Sequence, residues 1–235
     1  MPILCRDLNL LFVMVPGTGC SGVACLLCDQ FRGERLPNKH ASLDQIIAEG
    51  ALTRTEVDQL QVFATVRNPF DRFVTEYTRI AGTWFDEHFA NDSPRSHWIH
   101  DKGPRYEKWK RRQQQKARER GFDSWLIGTV RRYEIRQFVR NPLQYRRRLD
   151  LLAYPMVEGV NRLMLYERLE SELKAVLRDA GAEAEFSLPR RNVTPGKKSD
   201  YRDYYSPRSR AFVEKKFGAV LNRFGHSFDG PVAKS

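Results

Sequence analysis

The chain has 235 residues, 41% of them hydrophobic, and a formal net charge of +11. That length and apolar content exclude wholesale disorder and suit one fair-sized domain, two at most. The charge calls for an acidic partner: nucleic acid, an anionic membrane, a sulfated or carboxylated sugar, or a polyphosphorylated cofactor.

The first predicted element is a strand over the apolar run from Leu10 to Val15. Pro16-Gly17-Thr18-Gly19-Cys20-Ser21-Gly22 then forms a turn, and Val23 to Phe31 is apolar at helical spacing. Strand, glycine-rich turn and helix together aim main-chain N–H groups and the positive end of a helix dipole at one point, where a phosphate or sulfate fits. The same pattern also serves as a plain tight connection. No Lys follows Gly19 or Gly22, so the turn does not complete a P-loop, which argues against an ordinary ATPase or GTPase.

The four cysteines, Cys5, Cys20, Cys25 and Cys28, all fall in the first thirty residues. They make no extracellular disulfide framework. Cys25 and Cys28 have CxxC spacing, but without a second pair they read as core thiols rather than zinc ligands. The expectation is a cytoplasmic protein with no signal peptide and no transmembrane segment.

Arg32 to Lys39 reads as a polar connection. Ser42 to Gln45 and Thr53 to Glu56 carry capping-box spacing for two short helices, which leaves His40 in a loop just ahead of a helix start. Gln61 to Val66 is a second buried strand, followed by Arg67, Asn68 and Pro69 at a helix start. Arg67 at the strand end, with Arg72 and Thr75 on one helix face, can grip a phosphate. Arg67 and Arg72 can equally form structural salt bridges, for instance with Asp71 or Glu76.

Gly82 to Asp150 holds Trp84, Trp98, Trp109 and Trp125 and two basic runs, Lys108 to Arg120 and Arg131 to Arg148. The first run reads as a solvated basic helix. Interleaved rings and cations also suit stacking on sugars or bases. His88, His97 and His100 with Asp92 and Asp101 match no trusted metal spacing, and no metal is expected. Asp123 begins a short helix. Arg162 to Tyr166 is a third core strand, and Glu167 to Ala180 a helix closed by Gly181, with Leu169, Leu173, Val176 and Leu177 as its buried stripe. Glu167 reads as structural, pairing with an arginine or capping that helix. Pro189 to Lys198 is a basic loop. Ser206-Pro207 starts a last amphipathic helix, and the final residues read as frayed. With no internal repeat and no clear linker, one domain is the better count.

Val66-Arg-Asn-Pro-Phe-Asp-Arg-Phe-Val-Thr-Glu-Tyr77 resembles the signature of sulfotransferases that use 3′-phosphoadenosine-5′-phosphosulfate (PAPS). Val13 to Gly19 is similar to that family's 5′-phosphosulfate loop, Lys39-His40-Ala41-Ser42 to a motif between the two, and Leu163 to Leu169 to a later block. Asn192 to Tyr205 and Phe224 to Phe228 resemble its C-terminal loop and closing motif. The resemblance implies a single α/β domain over residues 1–235, with a central parallel sheet flanked by helices in a P-loop-like sulfotransferase architecture, and a variable acceptor-side region at about 82–150. It implies a sulfuryl group moved from PAPS to an acceptor hydroxyl, an acidic or glycan acceptor suiting the basic, Trp-rich region. Nucleic acid is not the expected partner. Pro16, Gly17, Thr18, Gly19, Cys20 and Ser21 would hold the 5′-phosphosulfate, Arg67 and Thr75, with Arg72 beside them, the 3′-phosphate, and His40 would be the general base. One departure stands out: the family's loop lysine is Gly17 here. Lys39, Lys197 and Lys198 are the candidate substitutes. Two other readings compete: a nucleotide-dependent kinase on a related scaffold, and a non-catalytic polyanion-binding module descended from a sulfotransferase.

Overall fold

A computed structural model describes residues 1–38, 40–83, 86, 103–182, 185–188 and 194–232. Lys39, Trp84, His88, Asp92, His97, Trp98, His100 and Asp101 lie outside the described residues, as does 189–193 of the basic loop.

In chain order the elements are β1 (Ile3–Cys5), β2 (Leu10–Val13), α1 (Cys20–Gln30), β3 (Glu34–Arg35), α2 (Leu43–Ala48), α3 (Arg54–Asp58), β4 (Gln61–Val66), α4 (Pro69–Ala81), α5 (Gly103–Arg140), α6 (Tyr145–Ala153), β5 (Arg162–Leu165), α7 (Leu169–Asp179), α8 (Pro207–Arg223), β6 (His226–Ser227) and β7 (Gly230–Pro231). Short 3₁₀ turns occupy Arg6–Leu8, Tyr166–Arg168 and Tyr201–Tyr204. The chain divides into two compact units, Met1–Asn68 with Asp150–Asn192, and Pro69–Leu149 with Val193–Ser235.

The first unit is built on a sheet ordered β3-β1-β2-β4-β5. β2, β4 and β5 run parallel, in register through Phe12↔Phe63 and Val66↔Leu165. This is the expected parallel core, extended at one side into a mixed sheet, because β1 lies antiparallel to both β2 and β3. The link from Cys5 to Leu10 is too short for the crossover a parallel neighbour needs. It turns through Asn9 at φ 50°, a left-handed position that asparagine tolerates. β3 ends the sheet with the exposed pair Glu34 and Arg35, and a charged edge resists pairing with another chain.

Successive strand residues point to opposite faces. Leu10, Phe12 and Met14 pack with Val23, Ala24 and Leu27 of α1 and Leu173, Val176 and Leu177 of α7. Leu11, Val13 and Val15 pack on the other face with Ala41, Leu43, Ile46 and Val57. Both faces are covered, which is why these strands read as unbroken apolar runs. Phe12 and Phe63, side by side on adjacent strands, have ring centroids 5.1 Å apart. Cys5 and Cys20 are buried, but Cys25 and Cys28 are only half-buried, on the flank of α1 rather than in its core stripe. Leu169, which follows the 3₁₀ turn, is likewise only partly buried, though it packs against the same core.

The second unit is helical around an aromatic cluster. Phe122 meets Tyr205 at 4.7 Å and Tyr77 at 5.3 Å between centroids, and Phe70 packs against Phe228 at 5.1 Å. The Tyr205 hydroxyl donates to the Phe70 carbonyl at 2.9 Å. Burial, reinforced by Asp71, holds its phenol well above the ordinary tyrosine range, so it stays a donor. The first basic run is helical as expected. Gln114 and Ala117 face inward, and Arg118 donates to the Ala81 carbonyl at 2.6 Å and to Asp86 at 3.1 Å. A helix does start at about Asp123 as expected, but it is longer than read and reaches Arg140; Gly121 (φ 67°, ψ 173°) is non-helical and separates it from the basic helix, and the two together are labelled α5. Ser206 caps α8 through a capping box, with Pro207 in its first turn.

Candidate functional site

Three parallel strands end side by side, and the chain leaving each one contributes to a single cluster in the first unit. Open α/β sheets place ligands at the carboxyl ends of their strands.

From β2 the chain runs through Met14 and Val15 into the bend Pro16 to Gly19. The buried Thr18 donates its hydroxyl to the Val15 carbonyl at 2.8 Å, which locks the bend on itself. Gly17 and Gly19 sit at φ 79° and 75°, conformations that glycine adopts without steric cost. They differ in surroundings. Among the described residues, a Cβ on Gly17 would meet nothing within 4 Å, whereas one on Gly19 would come within 2.8 Å of Leu169 Cδ2 and 3.1 Å of Tyr166 Cε2. Gly19, the residue before α1, has no side chain with which to cap the helix, and the first turn carries no acidic residue. That is how a helix start accommodates an anion.

From β4 the chain delivers Arg67, whose Nη1 donates to the Gly17 carbonyl at 2.8 Å. From β5 it delivers Tyr166, whose ring lies 4.3 Å beneath the Arg67 guanidinium. Glu167, next in line, accepts from the Asn68 N–H at 2.9 Å. This is a structural role, as expected of Glu167, but its partner is the backbone leaving β4, 99 residues away in sequence.

His40 reaches the same place. Its Nδ1 is 2.8 Å from the Met14 carbonyl. A carbonyl only accepts, so Nδ1 carries the hydrogen and Nε2 is the basic nitrogen of the neutral ring. His40 itself sits at φ 65°, an uncommon backbone state that neighbouring structure has to hold in place.

Cys20 and Ser21 open α1 in the first unit; the other candidates belong to the second unit or lie outside the described residues. Thr75 is buried and donates to the Asp71 carbonyl one turn back at 3.0 Å. Arg72 pairs with Glu76 at 2.6 Å, the structural ion pair that the sequence also allows. Lys197 forms an ion pair with Asp71, both largely buried. Lys198 is exposed, its ammonium 5.5 Å from the Tyr204 ring centroid. Lys39 falls outside the described residues.

The structure thus brings Gly17, Gly19, Arg67 and His40 into one neighbourhood of the first unit, around Met14 and Tyr166. Sequence reasoning missed Tyr166 as a site residue. Its position offered a signal: it follows β5 as Arg67 follows β4. The Met14 carbonyl offered none, since a main-chain acceptor has no sequence signature.

Comparison with curated proteins and with solved structures found no match. The model of the sulfotransferase family matches residues 3–219. That span contains both glycines of the bend, His40, Arg67 and all three parallel strands, and the chain belongs to the sulfotransferase family.

Proposed function

We propose that this sulfotransferase acts on an acceptor hydroxyl through His40, with the bend Gly17 to Ser21 and Arg67 as its anion-holding machinery. The family uses PAPS as sulfuryl donor. The residues suit that group: the space beside Gly17 is open, the first turn of α1 is free of acidic residues, and a guanidinium is bonded to the bend. When bound, PAPS would supply an activated sulfuryl group for transfer to the acceptor oxygen, with the 5′-phosphate as the leaving group.

The chain's own residues do the rest. Main-chain N–H groups of Gly17 to Ser21 hold the 5′ end and stabilise negative charge building on the leaving oxygen. The family motif puts Arg67 at the 3′-phosphate, but its bond to the Gly17 carbonyl leads us to assign it instead to the positive charge at the bend, where glycine replaces the family's loop lysine. Lys197 is committed to Asp71. The Tyr166 ring fixes the Arg67 guanidinium from below. Nε2 of His40 takes the acceptor proton, because Nδ1–H is held by Met14. The surplus of positive charge favours an acidic or glycan acceptor.

The observation that carries this reading is the bond from Arg67 to Gly17, with His40 anchored two residues upstream of Pro16 at Met14. The test is a thermal shift with 3′-phosphoadenosine-5′-phosphate, ATP and inorganic phosphate in parallel, alongside turnover of PAPS on a panel of carboxylated glycans and simple phenols. The doubly phosphorylated adenosine should stabilise by about 2.7 kcal/mol at a hundredfold excess over its Kd, and Arg67→Ala should abolish the shift. His40→Ala should keep the shift and lose about 10²–10⁴-fold in turnover. Equal stabilisation by ATP would sink the donor assignment, and full turnover in His40→Ala would sink the base. Salt-sensitive polyanion binding with no response to the bisphosphate would favour the non-catalytic reading.

A further inference from the structure

Beyond Gly121, one side of α5 faces its own unit and the other faces solvent. Leu126 and Val130 are buried, as is Gln137. Glu134 is neutralised by Lys216, which meets both carboxylate oxygens at 2.8 Å. The opposite side is unusual for a solvated helix. Ile135 is 63% exposed and Val139, one turn on, is 75% exposed; Phe138 is 53% and Leu143 97% exposed. Phe138 is braced by Tyr145, with ring centroids 5.4 Å apart. Four large apolar groups within nine residues make a patch, whereas scattered exposed apolar residues are ordinary.

Arginines frame this patch. Arg131, Arg132, Arg136 and Arg140 are all exposed on the same stretch of helix, and Arg146 follows. Residues 131–148 carry seven arginines against the single carboxylate of Glu134, and no Asp or Glu occurs from Ile135 to Leu149. By helical spacing Ile135 and Val139 lie at the centre of the exposed face, with Arg131 on one side and Arg132 and Arg136 on the other.

We propose that this face docks the protein on an anionic lipid bilayer, with Ile135, Phe138, Val139 and Leu143 entering the headgroup–acyl boundary and the arginines meeting lipid phosphates. This goes beyond sulfuryl transfer and does not depend on it. Aliphatic side chains at the centre require an apolar phase, and arginines around them require anions at its rim; an anionic bilayer presents both in that order. The long arginine stems lie along apolar surface while their guanidinium groups stay at the headgroups. A second copy of the chain would set arginines against arginines. Nucleic acid would satisfy the cations but leave the aliphatic centre in water, since these side chains cannot stack on bases.

The test is flotation of the full chain with vesicles of phosphatidylcholine alone and of phosphatidylcholine with about one-third phosphatidylserine, at near-physiological salt. Retention on soluble heparin is measured in parallel. The wild-type chain should float with the anionic vesicles only. Ile135→Ser with Val139→Ser should weaken vesicle binding about tenfold or more and leave heparin retention unchanged. Arg132→Gln, Arg136→Gln and Arg140→Gln together should weaken vesicle binding about a hundredfold, near fivefold per charge. All five positions are exposed, so thermal midpoints should match the wild type. Failure of the wild type to float with anionic vesicles overturns the proposal. So does undiminished vesicle binding by the serine variant, which would leave only bulk charge at work. A serine variant that loses heparin retention as steeply as vesicle binding also overturns it, because the face would then serve a soluble acidic polymer.

Discussion

Tyr166 links two features of the site that the sequence presents separately. One edge of its ring lies against Gly19, at the entry to α1, and one face lies 4.3 Å under the Arg67 guanidinium. A cation over an aromatic face in a partly desolvated site contributes about 0.5–2 kcal/mol. Tyr166→Leu is therefore expected to weaken 3′-phosphoadenosine-5′-phosphate binding by up to about thirtyfold, because Arg67 loses its platform. Tyr166→Phe keeps the ring and should bind within about twofold of wild type by calorimetry. If phenylalanine were as damaging as leucine, the hydroxyl and not the ring would be the working part. The two glycines of the bend separate in the same way. Both hold positive φ, which costs about 1–2 kcal/mol for a residue with a side chain. Among the described residues only Gly19 also meets neighbours, at 2.8 Å to Leu169. Gly17→Lys should therefore fold with a thermal midpoint a few degrees down at most, while Gly19→Ala adds about 1–3 kcal/mol of overpacking and should fall further. Equal losses in the two variants would mean that backbone conformation, not the Tyr166–Leu169 wall, governs the bend.

At the scale of elements, what was legible had a periodic or capping signal. β4 is found at Gln61–Val66 as read, β2 and β5 lie within their apolar runs, and Ser42, Thr53 and Ser206 cap the helices expected of them. The mixed edge of the sheet was not legible. β1 is three residues long, and β3 is the charged pair Glu34 and Arg35, so neither shows alternation. The break at Gly121 was legible: a glycine between two helical patterns reads as a stop, and its φ of 67° and ψ of 173° are non-helical. Pairings such as Glu167 with the Asn68 N–H depend on which strands end together, a property of strand order that no local window contains. The CxxC spacing is a local signal, and its two cysteines both sit half-buried on α1. Burial pushes the Cys28 thiol up and the Cys5 thiol up to about 11. Redox cysteines are marked by a lowered value that favours the thiolate.

For the molecule as a whole, the net charge of +11 acts on the donor before any contact forms. A bisphosphorylated, sulfated nucleotide is drawn by the summed field at low salt, and the field's reach shrinks from about 30 Å at 0.01 M to about 8 Å at 0.15 M. Contacts inside the site, such as Arg67 at the bend, are desolvated and much less screened. The two contributions separate in steady-state kinetics. Between these salt concentrations kcat/KM for PAPS should fall about tenfold or more, mostly through KM, while kcat stays nearly constant. The seven arginines of residues 131–148 add a control. Replacing Arg132, Arg136 and Arg140 with glutamine removes three of the eleven net charges without touching the bend. Such a variant should show a shallower salt dependence of KM and an unchanged kcat. A kcat that falls in step with KM would instead place the salt-sensitive charge at the reacting centre, and the basic surplus would then belong to catalysis rather than to capture.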